Sequence, residues 1–382
     1  MVRRSECKPS PTLRDILGAR ALAGFDEPGT VASGLPAAAY TSADFFALES
    51  DRLFHGAWVF AGFVHELAAP GDVVPVSVAG RPILLVRNDA GEIKAFHNVC
   101  RHRCLKLVDS PGNVGRVLRC PYHSWTYSLN GALMLTPYFG GRDPRDAPEG
   151  FDRKVHGLVP ARFALWHDWI FVNLSGTAPD FDEFVAPLNR WLDDIDLAQV
   201  EHLVTIDLGE VRANWKLLME NFIEPYHVQF VHASTTEQPL RDHYTIDEVG
   251  CLGSAIDVTR SPETPARQDT LSVSSRFLTL FPNFVLGRYF PDQIGVHLNV
   301  PVAPDRTLQR RAIYATGRDA AAALNADKLA KLWFSVHKED HAICERLQSG
   351  RASEVAADGG VLSPVWENSV RSFQLRVLDA LR

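Results

Sequence analysis

Cys100-Arg-His102-Arg and, with seventeen residues between His102 and Cys120, Cys120-Pro-Tyr-His123-Ser-Trp-Thr-Tyr127 form the most informative stretch of the chain. Each segment brings one Cys and one His. Thiolate and imidazole together suit zinc or an iron–sulfur centre. Structural zinc sites of the finger type pair Cys with Cys and His with His, each pair from one element. The mixed pairs here fit a two-iron cluster better, with the two sulfurs on one iron and the two nitrogens on the other. Replacing two thiolates by neutral imidazoles removes negative charge and raises the reduction potential. The chain has six cysteines, Cys7, Cys100, Cys104, Cys120, Cys251 and Cys344. That is too sparse for a disulfide framework.

Around this stretch the texture is β. Val73-Val-Pro-Val-Ser-Val, Pro82-Ile-Leu-Leu-Val-Arg and Glu92-Ile-Lys-Ala-Phe-His are short β-branched runs. Asn88-Asp-Ala-Gly91 predicts a hairpin, and Asn130-Gly131 predicts a second with a type I′ turn. The β texture runs from about Trp58 to Leu174. Before it, Thr12-Leu-Arg-Asp and the run from Ser42 to Ser50 resemble capped short helices. After it, helices are predicted over 213–231, 320–347 and 362–381, with strands over 271–303 and 310–316. The fold class is therefore α+β. Three regions are expected: an N-terminal helical segment (1–55) packing on the last region, an all-β domain (56–176), and a larger α+β domain (177–382).

A second constellation lies between Asn214 and His232. Asn221, Glu224 and His227 are spaced by three and would share one helix face inside an apolar segment. Burying such groups without partners costs on the order of 1–3 kcal/mol each. His227 and His232 are five apart, so they meet only if the helix is distorted or ends. Pro225 supplies a reason for distortion. Two His and one carboxylate make the facial triad of non-haem Fe(II) oxygenases, with positions left open. Spacing leaves Glu339, Asp340 and Glu345 all open as the acid.

The 382 residues are 46% hydrophobic and 22% charged, with a net charge of −7. No long basic run or stretch of about 18 apolar residues occurs, which argues against nucleic acid and against a membrane-spanning helix. Met1 to Thr12 holds no apolar signal core, so a cytoplasmic protein is expected. No nucleotide-binding glycine fingerprint is present.

The two motifs together resemble the Rieske non-haem iron oxygenases, over roughly Trp58 to Leu381. The resemblance implies an all-β Rieske domain and a helix-grip, START-like catalytic domain with an antiparallel sheet. It implies a [2Fe-2S] cluster on Cys100, His102, Cys120 and His123, and a mononuclear Fe(II) on His227, His232 and Asp340. Asp340 is chosen because a Glu-Asp pair opening the C-terminal helix supplies the acid in this family. Respiratory Rieske proteins carry an extra Cys in each loop, joined as a disulfide. Tyr122 stands in place of one here. Cys104 falls where Gly is common and is read as a small buried residue.

Glu224 matches an acidic bridge between His227 and a neighbouring subunit's His123, and Asn221 matches a position close to the iron. A homotrimer is implied, with a β subunit as the alternative. Electrons would come from NAD(P)H through a separate flavin and iron–sulfur reductase, with or without a ferredoxin. The expected activity is oxidation of a small molecule by O2, with aromatic hydroxylation set ahead of attack on a quaternary or methylated amine. Phe277, Phe281, Phe284, Tyr289 and Phe290 are candidate pocket residues. A cluster-only electron carrier is the rival class.

Overall fold

The computed structural model describes residues 11–27, 31–236, 238–257 and 274–382. They form two compact units: Phe54–Phe184, and the residues before Phe54 together with Val185–Arg382. The second boundary falls later than position 177. Phe181 packs edge-on against Trp58 at 5.1 Å, and Phe181 and Phe184 both meet Phe171, which keeps this aromatic stretch with the β-rich unit.

The β-rich unit holds three small antiparallel sheets. One joins Val59–Phe63, Trp169–Asn173 and Arg162–Trp166. A second is built on Asp72–Val78, Arg81–Arg87 and Ile93–His97. The third is Val117–Arg119, Thr126–Ser128 and Leu133–Leu135. The Asn88–Gly91 hairpin forms, with the Asn88 carboxamide oxygen accepting from the backbone N–H groups of Ala90 and Glu92. The Asn130-Gly131 hairpin also forms, but not as type I′. Only Gly131 has positive φ (83°), and its N–H donates to Ser128 O at 2.9 Å. That is a turn followed by a left-handed glycine, the three-residue form of the connection. A Cβ at Gly131 would lie 2.6 Å from the Phe96 ring, a second reason for glycine there.

The other unit is centred on a seven-stranded antiparallel sheet. Its order is Glu201–Val211, Arg306–Ala315, Gln293–Ala303, Phe284–Tyr289, Ser275–Leu280, Cys251–Ile256, His243–Glu248. Leu271–Val273 of the predicted strand region and Met1–Ser10 lie outside the described residues. The helix Ala326–Gly350 lays Trp333 and Val336 against Ile206, Leu208, Tyr289 and Ile313 of the sheet. The predicted single helix over 320–347 is broken at Leu324, and Asn325 caps the longer part by accepting from Lys328 N. The last helix begins at Asn368, later than predicted.

Thr12 and Ser42 cap their helices as their sequence contexts suggest. The segment before Phe54 is anchored by buried polar groups. Lys216 Nζ donates to Glu49 Oε1 at 2.6 Å, both side chains wholly buried, and Trp215 Nε1 donates to the other Glu49 oxygen. Burial pushes the Glu49 carboxyl up and the Lys216 amine down, each opposed by its partner. Tyr40 donates to Glu220 Oε1 at 2.7 Å beside Gln374. Among the described residues no helix is long and apolar enough to cross a membrane.

Candidate functional site

In the β-rich unit the two motif segments fold into matching loops. Cys100 N donates to Leu105 O, and Cys104 N donates back to Cys100 O. Cys120 N donates to Trp125 O, and Ser124 N donates back to Cys120 O. Each loop closes on a residue at positive φ, Cys104 at 58° and Ser124 at 57°. Cys104 is thus the left-handed closing residue, where glycine would be free of strain. It is exposed, not buried as expected.

Cys100 and Cys120 are buried, while His102 is half-buried and His123 exposed. The two imidazole centroids are 4.6 Å apart, and His102 stacks flat on Trp125 at 4.8 Å. Tyr127 was not anticipated as a site residue. Its buried hydroxyl accepts from Arg101 N at 2.9 Å and lies 3.3 Å from Cys100 Sγ. A hydroxyl aimed at a ligand sulfur raises a cluster's potential. Burial pushes the Cys120 thiol up, so a metal would have to supply the charge that makes it a thiolate. This donor set, two sulfurs inside and two imidazoles outside, fits a Rieske cluster.

In the larger unit, Asn214 caps a helix from Trp215 to Ile223. The helix stops because Pro225 drives the residue before it out of the α region: Glu224 sits at φ −100°, ψ 140°. A one-turn helix, Val228–Val231, follows. The predicted continuous helix to Val231 is therefore split, and Asn221, Glu224 and His227 do not share one helix face. The split resolves the spacing of five. His227 precedes the short helix and His232 follows it, with their ring centroids 5.3 Å apart.

Asp340 enters from the middle of the helix Ala326–Gly350, not from its opening. Its Oδ1 lies 3.0 Å from His232 Nε2 and 3.7 Å from His227 Nε2. These three ligand atoms fall within 4.8 Å of one another and could hold a metal ion. Both outer nitrogens are taken by carboxylates: His227 Nδ1 meets Glu224 Oε1 at 2.6 Å, and His232 Nδ1 meets Glu339 Oε2 at 2.7 Å. Such partners fix the Nδ1–H tautomer and leave each Nε2 lone pair for a metal. The Asp340 Oδ1 is buried without a hydrogen-bond partner, which fits an oxygen that ligates a cation. Glu345 pairs instead with Arg212 at 3.0 Å.

Burial lowers both imidazoles, but the acids win. Glu224, then Asp340, raise His227, and Asp340, then Glu339, push His232 up to about 9. Glu224 Oε2 also accepts from the N–H groups of Tyr226 and His227, so the carboxylate holds the whole turn.

The triad opens on a cavity also lined by Asn221, Phe222, Phe277 and Tyr289. Phe281, Phe284 and Phe290 do not line it. Phe281 packs on Phe373, and the Arg288 guanidinium lies over the Phe290 ring. Trp333, His297, His337 and Arg311 do line it and were not anticipated. The signal was faint. Thr307, Gln309, Arg311 and Ile313 alternate inward along one strand, so period-two counting places a charge on the buried face.

Residues 57–142 match the Rieske [2Fe-2S] domain, and residues 195–382 match the catalytic domain of the ring hydroxylating alpha subunit. The chain is 30% identical to a glycine betaine monooxygenase oxygenase subunit of Chromohalobacter salexigens, over 89% of this chain and 84% of that one. The chain belongs to the Rieske non-haem iron oxygenases. Choline monooxygenase of Amaranthus tricolor is 26% identical, over 88% of this chain and 75% of that one. A solved quaternary ammonium Rieske monooxygenase, described for carnitine oxidation and inter-subunit electron transfer, superposes with a TM-score of 0.78. It is 23% identical and covers 94% of this chain and 98% of that one.

This oxygenase is thus an oxidoreductase with a Rieske cluster and a mononuclear iron as cofactors, in a family that draws electrons from reductase partners and assembles its subunits. When bound, the cluster would supply single electrons and the iron would supply open coordination positions. The protein's own share is to orient the imidazoles through Glu224 and Glu339 and to wall the reaction off with aromatic rings.

Proposed function

We propose that this oxygenase subunit oxidises a quaternary or methylated ammonium compound. The observation that carries the reading is the similarity to a glycine betaine monooxygenase across 89% of the chain. The catalytic-domain match carries the name of ring hydroxylation but fits the whole family, so the comparisons favour the amine alternative over the aromatic expectation. Phe222 and Phe277 line the cavity, and the faces of aromatic rings attract a methylated cation. In the proposed reaction one atom of O2 enters a C–H bond of an N-methyl group. The other leaves as water, with two electrons and two protons supplied. The hydroxymethyl group then departs as formaldehyde.

In this reading Cys100, Cys120, His102 and His123 hold the cluster, and His227, His232 and Asp340 hold the iron. Asn221 stands beside the iron. Glu224 orients His227 and bridges to His123 of a neighbouring subunit in a homotrimer. NAD(P)H feeds the system through a flavin and iron–sulfur reductase. The test is formaldehyde release by the holoenzyme with a purified reductase. Glycine betaine, carnitine and choline are compared with aromatic acids. Turnover of a methylated ammonium compound is expected, and turnover of aromatic acids alone overturns the proposal. Glu224→Gln is expected to keep both metals and slow single-turnover electron transfer. Unchanged kinetics would remove Glu224 from the bridging role.

A further inference from the structure

Arg311 is a buried cation that neither centre uses. It is 1% exposed and lines the triad's cavity. Its Nη1 lies 2.8 Å from His297 Nε2 and 3.3 Å from His337 Nε2, while Nε and Nη2 are buried without hydrogen-bond partners. Both imidazoles are held neutral by burial, so they accept from Arg311 without cancelling its charge. Tyr289 is the nearest polar group that acts on Arg311 and Asp340 the next, but the Tyr289 phenol is neutral and the Asp340 carboxylate already faces two imidazole nitrogens. The guanidinium carbon sits 3.4 Å from the Trp333 ring centroid and 5.3 Å from that of Tyr289.

Two consequences follow from general chemistry. A buried guanidinium with open donors is costly unless something anionic completes it, and its planar fork matches a carboxylate. The faces of Trp333 and Tyr289 are also already occupied by a cation, so this wall repels a substrate ammonium group.

We infer that Arg311 binds a carboxylate on the substrate, so that the cavity selects ligands carrying one and orients them with any methylated nitrogen away from Trp333. The inference rests on the proposed function for the ammonium end, but not for the carboxylate end. It divides the compounds named for the relatives: glycine betaine and carnitine carry a carboxylate, and choline does not.

The experiment is anaerobic calorimetric titration of the holoenzyme with three probes. Glycine betaine has both groups, choline has the ammonium alone, and 3,3-dimethylbutanoate has the carboxylate with an uncharged tert-butyl head. Glycine betaine and 3,3-dimethylbutanoate are expected to bind, with choline weaker than betaine by about 100-fold or more. Arg311→Gln is expected to weaken the two carboxylates by about 100-fold and leave choline unweakened. Gly295→Ala is a second variant that keeps the arginine. A Cβ there would lie 2.2 Å from Arg311 Nη2, so the guanidinium must move. It is expected to lower carboxylate affinity selectively even if the Gln variant does not fold. Choline binding wild type as tightly as betaine overturns the inference. So does equal weakening of all three probes in a variant that keeps its melting temperature and red-brown colour. Failure of both ammonium probes alongside Arg311-dependent binding of 3,3-dimethylbutanoate would overturn the ammonium reading and leave the carboxylate site standing.

Discussion

In the β-rich unit the candidate cluster ligands come from one stretch, Cys100 to His123, on two loops with the same hydrogen-bond pattern and their histidines toward solvent. In the larger unit the triad draws two imidazoles from the ends of a one-turn helix and one acid from a helix far along the chain, inside a cavity. The first centre is local backbone geometry and needs only its own hairpins. The second is a tertiary convergence of polar groups in an apolar interior, held by carboxylates on the outer nitrogens. Geometry written locally is robust to distant change. Geometry assembled by packing depends on every partner that satisfies a buried atom.

The largest test of this contrast is a pair of variants. Asp340→Ala is expected to keep the red-brown colour, lower iron from about three to about two atoms per chain, and abolish substrate oxidation. Cys120→Ser is expected to lose the colour and keep the single iron. Metal analysis and visible spectra check both, and loss of both metals from either variant would break the separation.

The larger unit is also expected to be the acid-sensitive one. Burial pushes His243 down to about 4 from its ordinary 6.5. The unfolded chain therefore takes up a proton that the folded one refuses. Stability is fully present above pH 6.5, falls as the pH drops through that window, and levels off below about 4, a loss on the order of 3 kcal/mol. Melting temperature against pH should show this slope, and His243→Leu should flatten it.

Glu339→Gln probes how the triad is held. With the acid partner of His232 Nδ1 neutralised, iron affinity is expected to fall by about 10–100-fold with the cluster spectrum unchanged. Competition with a chelator measures it. The smallest effect belongs to the loops. Cys104→Gly relieves a left-handed residue but frees the unfolded chain, and a net gain of about 0.5 kcal/mol is expected in thermal unfolding.

The sequence carried the two Cys-and-His loops, because mixed pairs at short spacing are a chemical signature independent of packing, but not the exposed, left-handed Cys104 or the Tyr127 hydroxyl beside Cys100. It also carried the positions of the β hairpins and the N-caps at Thr12 and Ser42, since each follows from backbone rules acting over a few residues. Helix ends at Ile223 and Leu324 were misjudged where apolar periodicity continued past a proline or an asparagine cap. Glu339, Asp340 and Glu345 were indistinguishable by spacing. Which of them reaches the histidines is set by the rotation of a 25-residue helix against the sheet.

Residue types and their spacing thus determined that two centres of different chemistry reside in one α+β chain. Tertiary structure alone decided that Asp340 meets His227 and His232, that Glu339 backs one of them, and that Arg311 keeps two buried nitrogens without hydrogen-bond partners beside Trp333. The reason is range. Motif chemistry and turn geometry act over a few residues, whereas the charge balance of a buried cavity is fixed by side chains that meet only once the strands and helices have packed.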